Sequence, residues 1–282
     1  WFVRQISWPL AALVIHEELE SQNPSMLKPT AISHGIEALA CKLEYYSKLN
    51  GNEKSKRILG SRAFGRDSGD GLWTFSHLQQ SKNYVVNTHR QAATRALLVD
   101  GGLGFVNGSR FDLYKLEPVG RALANAFLDQ RVGKGGSTLR KWLRGWLDGD
   151  VKRDAEVSRC PKSLRVALSP EYPSPEECSL VRSRLLETSS DAGEIRRRLA
   201  ASIGRAKALR DIESDVIDRL CKAKHDKQAA DILAARAFGA VLDRARDAVS
   251  VLTSDRLGIG RHPVRLTVLA TDNGIRESLK NL

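Results

Sequence analysis

The chain has 282 residues, with 45 Lys and Arg against 33 Asp and Glu, a formal net charge of +12 and 41% hydrophobic residues. This suits a folded protein of about two domains and excludes a disordered polyelectrolyte. No apolar run approaches the roughly 18–20 residues of a membrane-spanning helix.

Residues 8–20 and 30–49 read as two amphipathic helices. The second carries Ile32, Ile36, Leu39, Ala40, Leu43 and Tyr46 at helical spacing, with Pro24 and Pro29 in the loop between. Together they predict an N-terminal helical hairpin over 1–52. The spacing next predicts a basic helix over 53–64 with Lys54, Lys56, Arg57 and Arg62, a Gly/Asp/Ser loop from Arg66 to Gly71, and a helix near Thr74–Gln80.

The stretch Thr88–Gln130 is the most informative. Thr88 or Asn87 can cap a helix whose apolar positions Ala92, Ala93, Ala96, Leu97 and Val99 share a face and which ends at Gly101-Gly102. Leu103–Val106 and Arg110–Leu116 read as strands joined by Asn107-Gly108, the dipeptide suited to a two-residue type I′ turn. Pro118 then falls in the first turn of another helix, where its missing N–H costs nothing.

Val132–Ser137, rich in glycine, reads as a hinge. Thr138–Leu147 reads as a short helix with Leu139, Trp142, Leu143, Trp146 and Leu147 opposite Arg140, Lys141 and Arg144. These two segments complete a domain over 53–147. The polar, proline-bearing segment 148–174 is predicted as an interdomain linker. From Ser174-Pro-Glu-Glu, a capping box with proline at the first helical position, helices are expected at about 175–188, 191–208, 209–224 and 226–253. The last carries an apolar stripe through Ala234, Phe238, Val241, Leu242, Ala245, Val249 and Leu252. The fold class is therefore mainly α: three helices and a β-hairpin in the N-terminal half, and a helical bundle over 175–282. Val264–Ala270 is compatible with either a strand or another helix.

The order helix, hairpin, helix, with Gly120-Arg121-Ala122-Leu123-Ala124 after the returning strand, resembles the winged helix-turn-helix superfamily over about residues 55–130. Glu117 stands where that pattern usually has Thr. The resemblance implies a recognition helix at Thr88–Val99. Thr88, His89, Arg90, Gln91, Thr94 and Arg95 would face a DNA groove, the wing would present Asn107, Ser109 and Arg110, and Lys82, Lys115, Arg57 and Arg62 would contact the backbone. Charge points the same way, since ten of the twelve excess positive charges lie between residues 53 and 168. A solvated basic surface is the plain alternative. The order of segments along the whole chain is fainter evidence: it is similar to bacterial proteins encoded in phage-defence islands, which implies a prokaryotic DNA-associated subunit of a larger complex.

Signals for chemistry are sparse. His16-Glu17-Glu18 lacks the second histidine of a zincin helix, and no phosphate-cradling G-x-x-x-x-G-K-[ST] loop occurs. Asp67, Asp70 and Glu44 with Lys82 are the residues available for a metal-dependent nuclease, though solvated loop carboxylates explain them as well. Trp142 and Trp146 could stack on single-stranded bases or lie in a core. Arg196-Arg197-Arg198 could touch phosphate, or pair with Glu194 on a helix surface. Cys41, Cys160, Cys178 and Cys221 form no C-x-x-C pair, which argues against a zinc finger and reads as free thiols in a reducing cytoplasm.

The expectation is thus a non-catalytic DNA-binding subunit without cofactor or membrane association, cytoplasmic, favouring duplex over single-stranded DNA and holding other subunits through its C-terminal bundle. The alternatives are a protein scaffold that uses the winged segment for docking, and a nuclease.

Overall fold

The computed structural model describes residues 2–22, 27–50, 58–66, 73–100, 102–132, 136–159 and 161–186, with scattered positions between 194 and 241. The chain divides into two units, Trp1–Ser189 and Ser190–Leu282, and is mainly helical.

Helix α1 (Phe2–Gln22) begins six residues before its predicted start and is the central element of the first unit rather than half of an isolated hairpin. Ile6, Trp8 and every residue from Leu10 to Ile15 are buried, so the helix is apolar all round, as a helix covered on every side must be. It packs on α2 (Pro29–Asn50), on α5 (His89–Leu97), on α6 (Pro118–Leu128) and on α10 (Pro175–Leu186). Arg4 belongs to this buried helix because its guanidinium reaches groups remote in sequence. It donates to Ala167 O at 2.8 Å and Tyr172 O at 2.7 Å, and meets Glu177 at 3.3 Å. Helix α2 is buried from Ile32 to Glu44, with Glu37, Lys42 and Glu44 inside.

Of the basic helix expected over 53–64, the structure shows α3 (Ser61–Phe64), a single turn. Lys54, Lys56 and Arg57 lie outside the described residues. Gly60, at φ 84°, precedes α3 where a Cβ would stand 2.4 Å from the Tyr84 ring. Helix α4 (Phe75–Leu78) is capped by Thr74, whose hydroxyl accepts the His77 N–H at 3.2 Å.

Helix α5 starts as predicted. The Thr88 hydroxyl accepts the Gln91 N–H, and the Gln91 side chain accepts the Thr88 N–H at 2.8 Å. It ends earlier than expected because Leu98 and Val99 turn extended to meet the next strand: Val99 N–H donates to Val106 O at 2.9 Å. Strands β1 (Val106–Asn107) and β2 (Lys115–Leu116) are antiparallel, pairing Val106 with Leu116 and Asn107 with Lys115.

The predicted two-residue turn is not made. Asn107 is the last residue of β1, and 108–114 forms a longer connection with a 3₁₀ turn at Phe111–Leu113. Tertiary contacts override the local turn preference here. Phe111 and Tyr114 are buried, and the Asp112 carboxylate accepts the Thr30 N–H at 2.8 Å and also its hydroxyl, at the start of α2.

Pro118 occupies the first turn of α6 as expected. Strands β3 (Arg131–Val132) and β4 (Ser137–Thr138) pair as a second small hairpin where a hinge was predicted; residues 133–135 lie outside the described set. Helix α7 (Leu139–Leu147) buries the predicted apolar face. The segment predicted as linker holds α8 (Val151–Ser158) and α9 (Lys162–Leu168), and α9 packs on α2 and β3.

Helix α10 opens with the predicted capping box: Ser174 N–H donates to Glu177 Oε2 at 2.8 Å and Glu177 N–H to Ser174 Oγ at 3.1 Å. It belongs to the first unit, not the second, because Glu177 is completely buried against Arg4, Ser7 and Gln130.

In the second unit, exposed Arg197 pairs with Glu194 at 2.9 Å, and Leu233, Phe238 and Val241 are exposed. Arg196 and Arg198, most of the predicted bundle and the segment 264–270 lie outside the described residues. No described helix is long and apolar enough to cross a membrane.

Candidate nucleic-acid interface

The N-terminus of α5 is the element on which the sequence reading turns, and it is already occupied by a carboxylate of the protein itself. Glu37, fully buried on α2, accepts the His89 N–H at 2.8 Å, the Arg90 N–H at 3.1 Å and the Tyr84 hydroxyl at 2.9 Å. With Gln91 N–H directed to Thr88, the first three N–H groups of the helix are satisfied internally. The positive end of a helix, which elsewhere receives phosphate, here receives Glu37. Residue spacing gives no sign of this contact, since Glu37 lies 52 positions before His89.

This internal cap decides which predicted residues remain available. Thr88 is buried and spends its hydroxyl on the cap. The His89 ring lies beside Trp8 with centroids 6.3 Å apart, and burial lowers its pKa against the raising pull of Glu37. Arg90 places its guanidinium 4.9 Å over the Phe111 ring; burial lowers its pKa while Glu37 and Asp112 raise it. Thr94 donates its hydroxyl to Arg90 O and Gln91 O. Thr88, His89 and Arg90 thus serve the cap and the packing of α5, and the Thr94 hydroxyl is spent within the helix. Gln91 caps through Oε1 yet is exposed, and lies one turn before exposed Arg95.

The remaining described positions are all exposed: Arg62, Lys82, Arg95, Asn107, Ser109, Arg110 and Lys115. None of the five cations among them forms an ion pair with a described residue. Elsewhere the pattern is mixed: Arg121 pairs with Glu17, Arg140 with Glu18 and Asp129, and Arg153 with Glu156, while exposed Arg66, Arg131, Arg159 and Arg182 form no ion pair with a described residue.

The exposed flank of α5, Gln91 and Arg95, is followed by exposed Val99, which bonds to Val106 of the β1–β2 ribbon, where Asn107 and Lys115 are cross-strand partners. Arg62 and Lys82 lie on α3 and the 81–83 turn, which pack together. Beside α5 opens a shallow cleft of about 510 Å³ lined by Leu59, Asn87, Thr88, His89, Gln91, Ala92 and Thr94. Arg57 lies outside the described residues.

The other candidates resolve differently. Trp142 and Trp146 are buried and stack on each other at 6.3 Å, with their N–H groups given to Glu156 and to Trp73 O, so neither can stack on a base. Glu44 is buried and accepts the Ser169 hydroxyl at 3.2 Å. Asp67 and Asp70 lie outside the described residues, among which no group of three or more His, Cys, Asp or Glu could hold a metal ion. Cys41 is a buried free thiol; Cys178 and Cys221 are exposed free thiols.

By its fold this is a mainly α-helical protein whose first unit carries exposed Arg95 on α5, Arg110 in the 108–114 connection and Lys115 on β2, none ion-paired with a described residue. No family model matches the chain, and neither a curated protein nor a solved structure does so.

Proposed function

We propose that the chain is a DNA-binding subunit that engages duplex DNA as a winged helix, through the exposed flank of α5 and the β1–β2 ribbon. The observation that carries this reading is the set Arg95, Arg110 and Lys115 on α5, the 108–114 connection and β2, each exposed and without an ion pair to a described residue, with Arg62 and Lys82 likewise on α3 and the 81–83 turn. Unpaired cations on one surface are what a polyanion requires, because each phosphate contact releases a counterion without first breaking an internal ion pair. Gln91 and Arg95, one turn apart, have the side chains that read base edges. The buried cap by Glu37 means that the helix flank, not its tip, lies against the groove. Exposed Leu233, Phe238 and Val241 in residues 190–282 support a role for the second unit in holding other subunits, in a complex of the kind that phage-defence systems use.

The test is fluorescence anisotropy with a short duplex across a salt series. Replacing Arg95, Arg110 and Lys115 together with Ala should flatten the plot of log affinity against log salt by about 3 units, close to one per phosphate contact. Unchanged affinity and slope would refute the assignment. Arg90→Ala should act instead on stability, because its guanidinium covers Phe111.

A further inference from the structure

Leu113 is 63% exposed at the crest of the 108–114 connection. The loop around it is fixed from several sides. Its aromatic neighbours Phe111 and Tyr114 are buried and meet edge-on at 5.7 Å, and Arg90 lies over Phe111. The Asp112 carboxylate is bound at the start of α2. Leu113 N–H donates to Arg110 O at 2.8 Å and Tyr114 N–H to Phe111 O at 3.1 Å. The turn that buries both aromatics therefore holds the leucine outward. On either side, Arg110 and Lys115 are exposed and free of ion pairs to described residues. A leucine in a protein-docking face would share it with other apolar side chains; between Asn107 and Lys115 the other exposed residues are polar, charged or glycine. One apolar side chain, with Arg110 and Lys115 nearby in the chain and the intervening Asp112 carboxylate engaged by Thr30, is complementary to a base step flanked by phosphates.

We propose that Leu113 is a wedge that enters the minor groove of duplex DNA and partly unstacks one base step, while Arg110 and Lys115 hold the adjoining phosphates; this rests on the duplex-binding reading above. Side chains of this kind open steps that unstack at low cost, so the preferred substrate is a deformable duplex containing a pyrimidine–purine step, and a stiff A-tract is disfavoured. Neither the spacing of residues nor the predicted Asn107-Gly108 turn pointed to Leu113, which in a plain returning strand would have had no crest to occupy.

The full chain is titrated with two duplexes of matched length and composition. One has a central TA step beside a 2-aminopurine, and the other is an A-tract with the same reporter. Wild type should raise 2-aminopurine fluorescence on the TA duplex and favour it by about fivefold. Leu113→Ala should lose the fluorescence rise and bring the preference to about one, while keeping its salt slope and its affinity for the A-tract within about twofold. Leu113→Phe should retain the rise. Binding by wild type without a fluorescence change, or a full change in Leu113→Ala, overturns the wedge and leaves duplex binding standing. No binding to either duplex at about 50 mM salt overturns both.

Discussion

Replacing Gly120 with Ala places the close approach of α6 and the β1 segment under direct test. A Cβ at Gly120 would stand 2.0 Å from Phe105 O, 2.9 Å from its carbonyl carbon and 3.2 Å from its Cα, all backbone atoms that cannot rotate away. Relief to 3.0 Å needs a separation of at least 1 Å, along the line on which Glu117 N–H now donates to Phe105 O at 3.0 Å. Losing that bond costs about 1 kcal/mol. Overpacking against rigid backbone costs roughly another 1–3 kcal/mol, and alanine's better helix propensity returns about 1 kcal/mol. The net expectation is a loss of about 1–3 kcal/mol in urea unfolding. Gly145, in the last turn of α7, is the control: its added Cβ meets nothing closer than Arg153 Nε at 3.6 Å. Gly145→Ala should therefore stabilise by about 0.5–1 kcal/mol. The same substitution in two helices should thus act with opposite sign. A Gly120→Ala chain as stable as wild type would refute the packing argument.

Two further outcomes concern the groups beneath α5. His34 is buried with Nε2 unpartnered, its ring edge-on to Tyr84 at 5.4 Å; burial first, and the Arg90 charge second, push its pKa down to about 4 from 6.5. The folded chain keeps it neutral where the unfolded chain binds a proton, so its contribution is complete above about pH 6.5 and is lost as pH falls towards 4. The urea midpoint should drop between pH 7 and pH 5, and His34→Phe should shrink that drop. Part of the drop should persist, because burial lowers His89 too. An identical pH dependence in the variant would count against the assignment. Glu37→Ala removes the carboxylate that accepts the His89 and Arg90 N–H groups, and leaves the Tyr84 hydroxyl only Cys41 Sγ at 3.3 Å. It should cost about 3 kcal/mol or more, seen as a lowered thermal midpoint and faster amide exchange in α5. Wild-type stability would show that the internal cap is not energetically important.

What could be read from the chain alone lies within a few residues of itself. The Thr88 cap, the Ser174–Glu177 capping box, Pro118 in the first turn of α6 and the buried face of α7 all appear where sequence predicts them. They depend on contacts three or four positions apart, and the local backbone suffices to make them. The helical class and the exposed cations Arg62, Lys82, Arg95, Arg110 and Lys115 were legible for the same reason. What the tertiary structure alone decided involves partners far apart. Glu37 reaches α5 across 52 residues, Asp112 reaches Thr30 across 82, and Ser7 reaches Glu177 across 170. Those contacts committed the backbone at the start of α5 to Glu37 and displaced the Asn107-Gly108 turn. They also drew α10 into the first unit and raised Leu113 to a crest. A buried carboxylate or a buried aromatic pair outweighs the small preference of a turn dipeptide or a cap, and the identity of its partner is set by packing rather than by spacing.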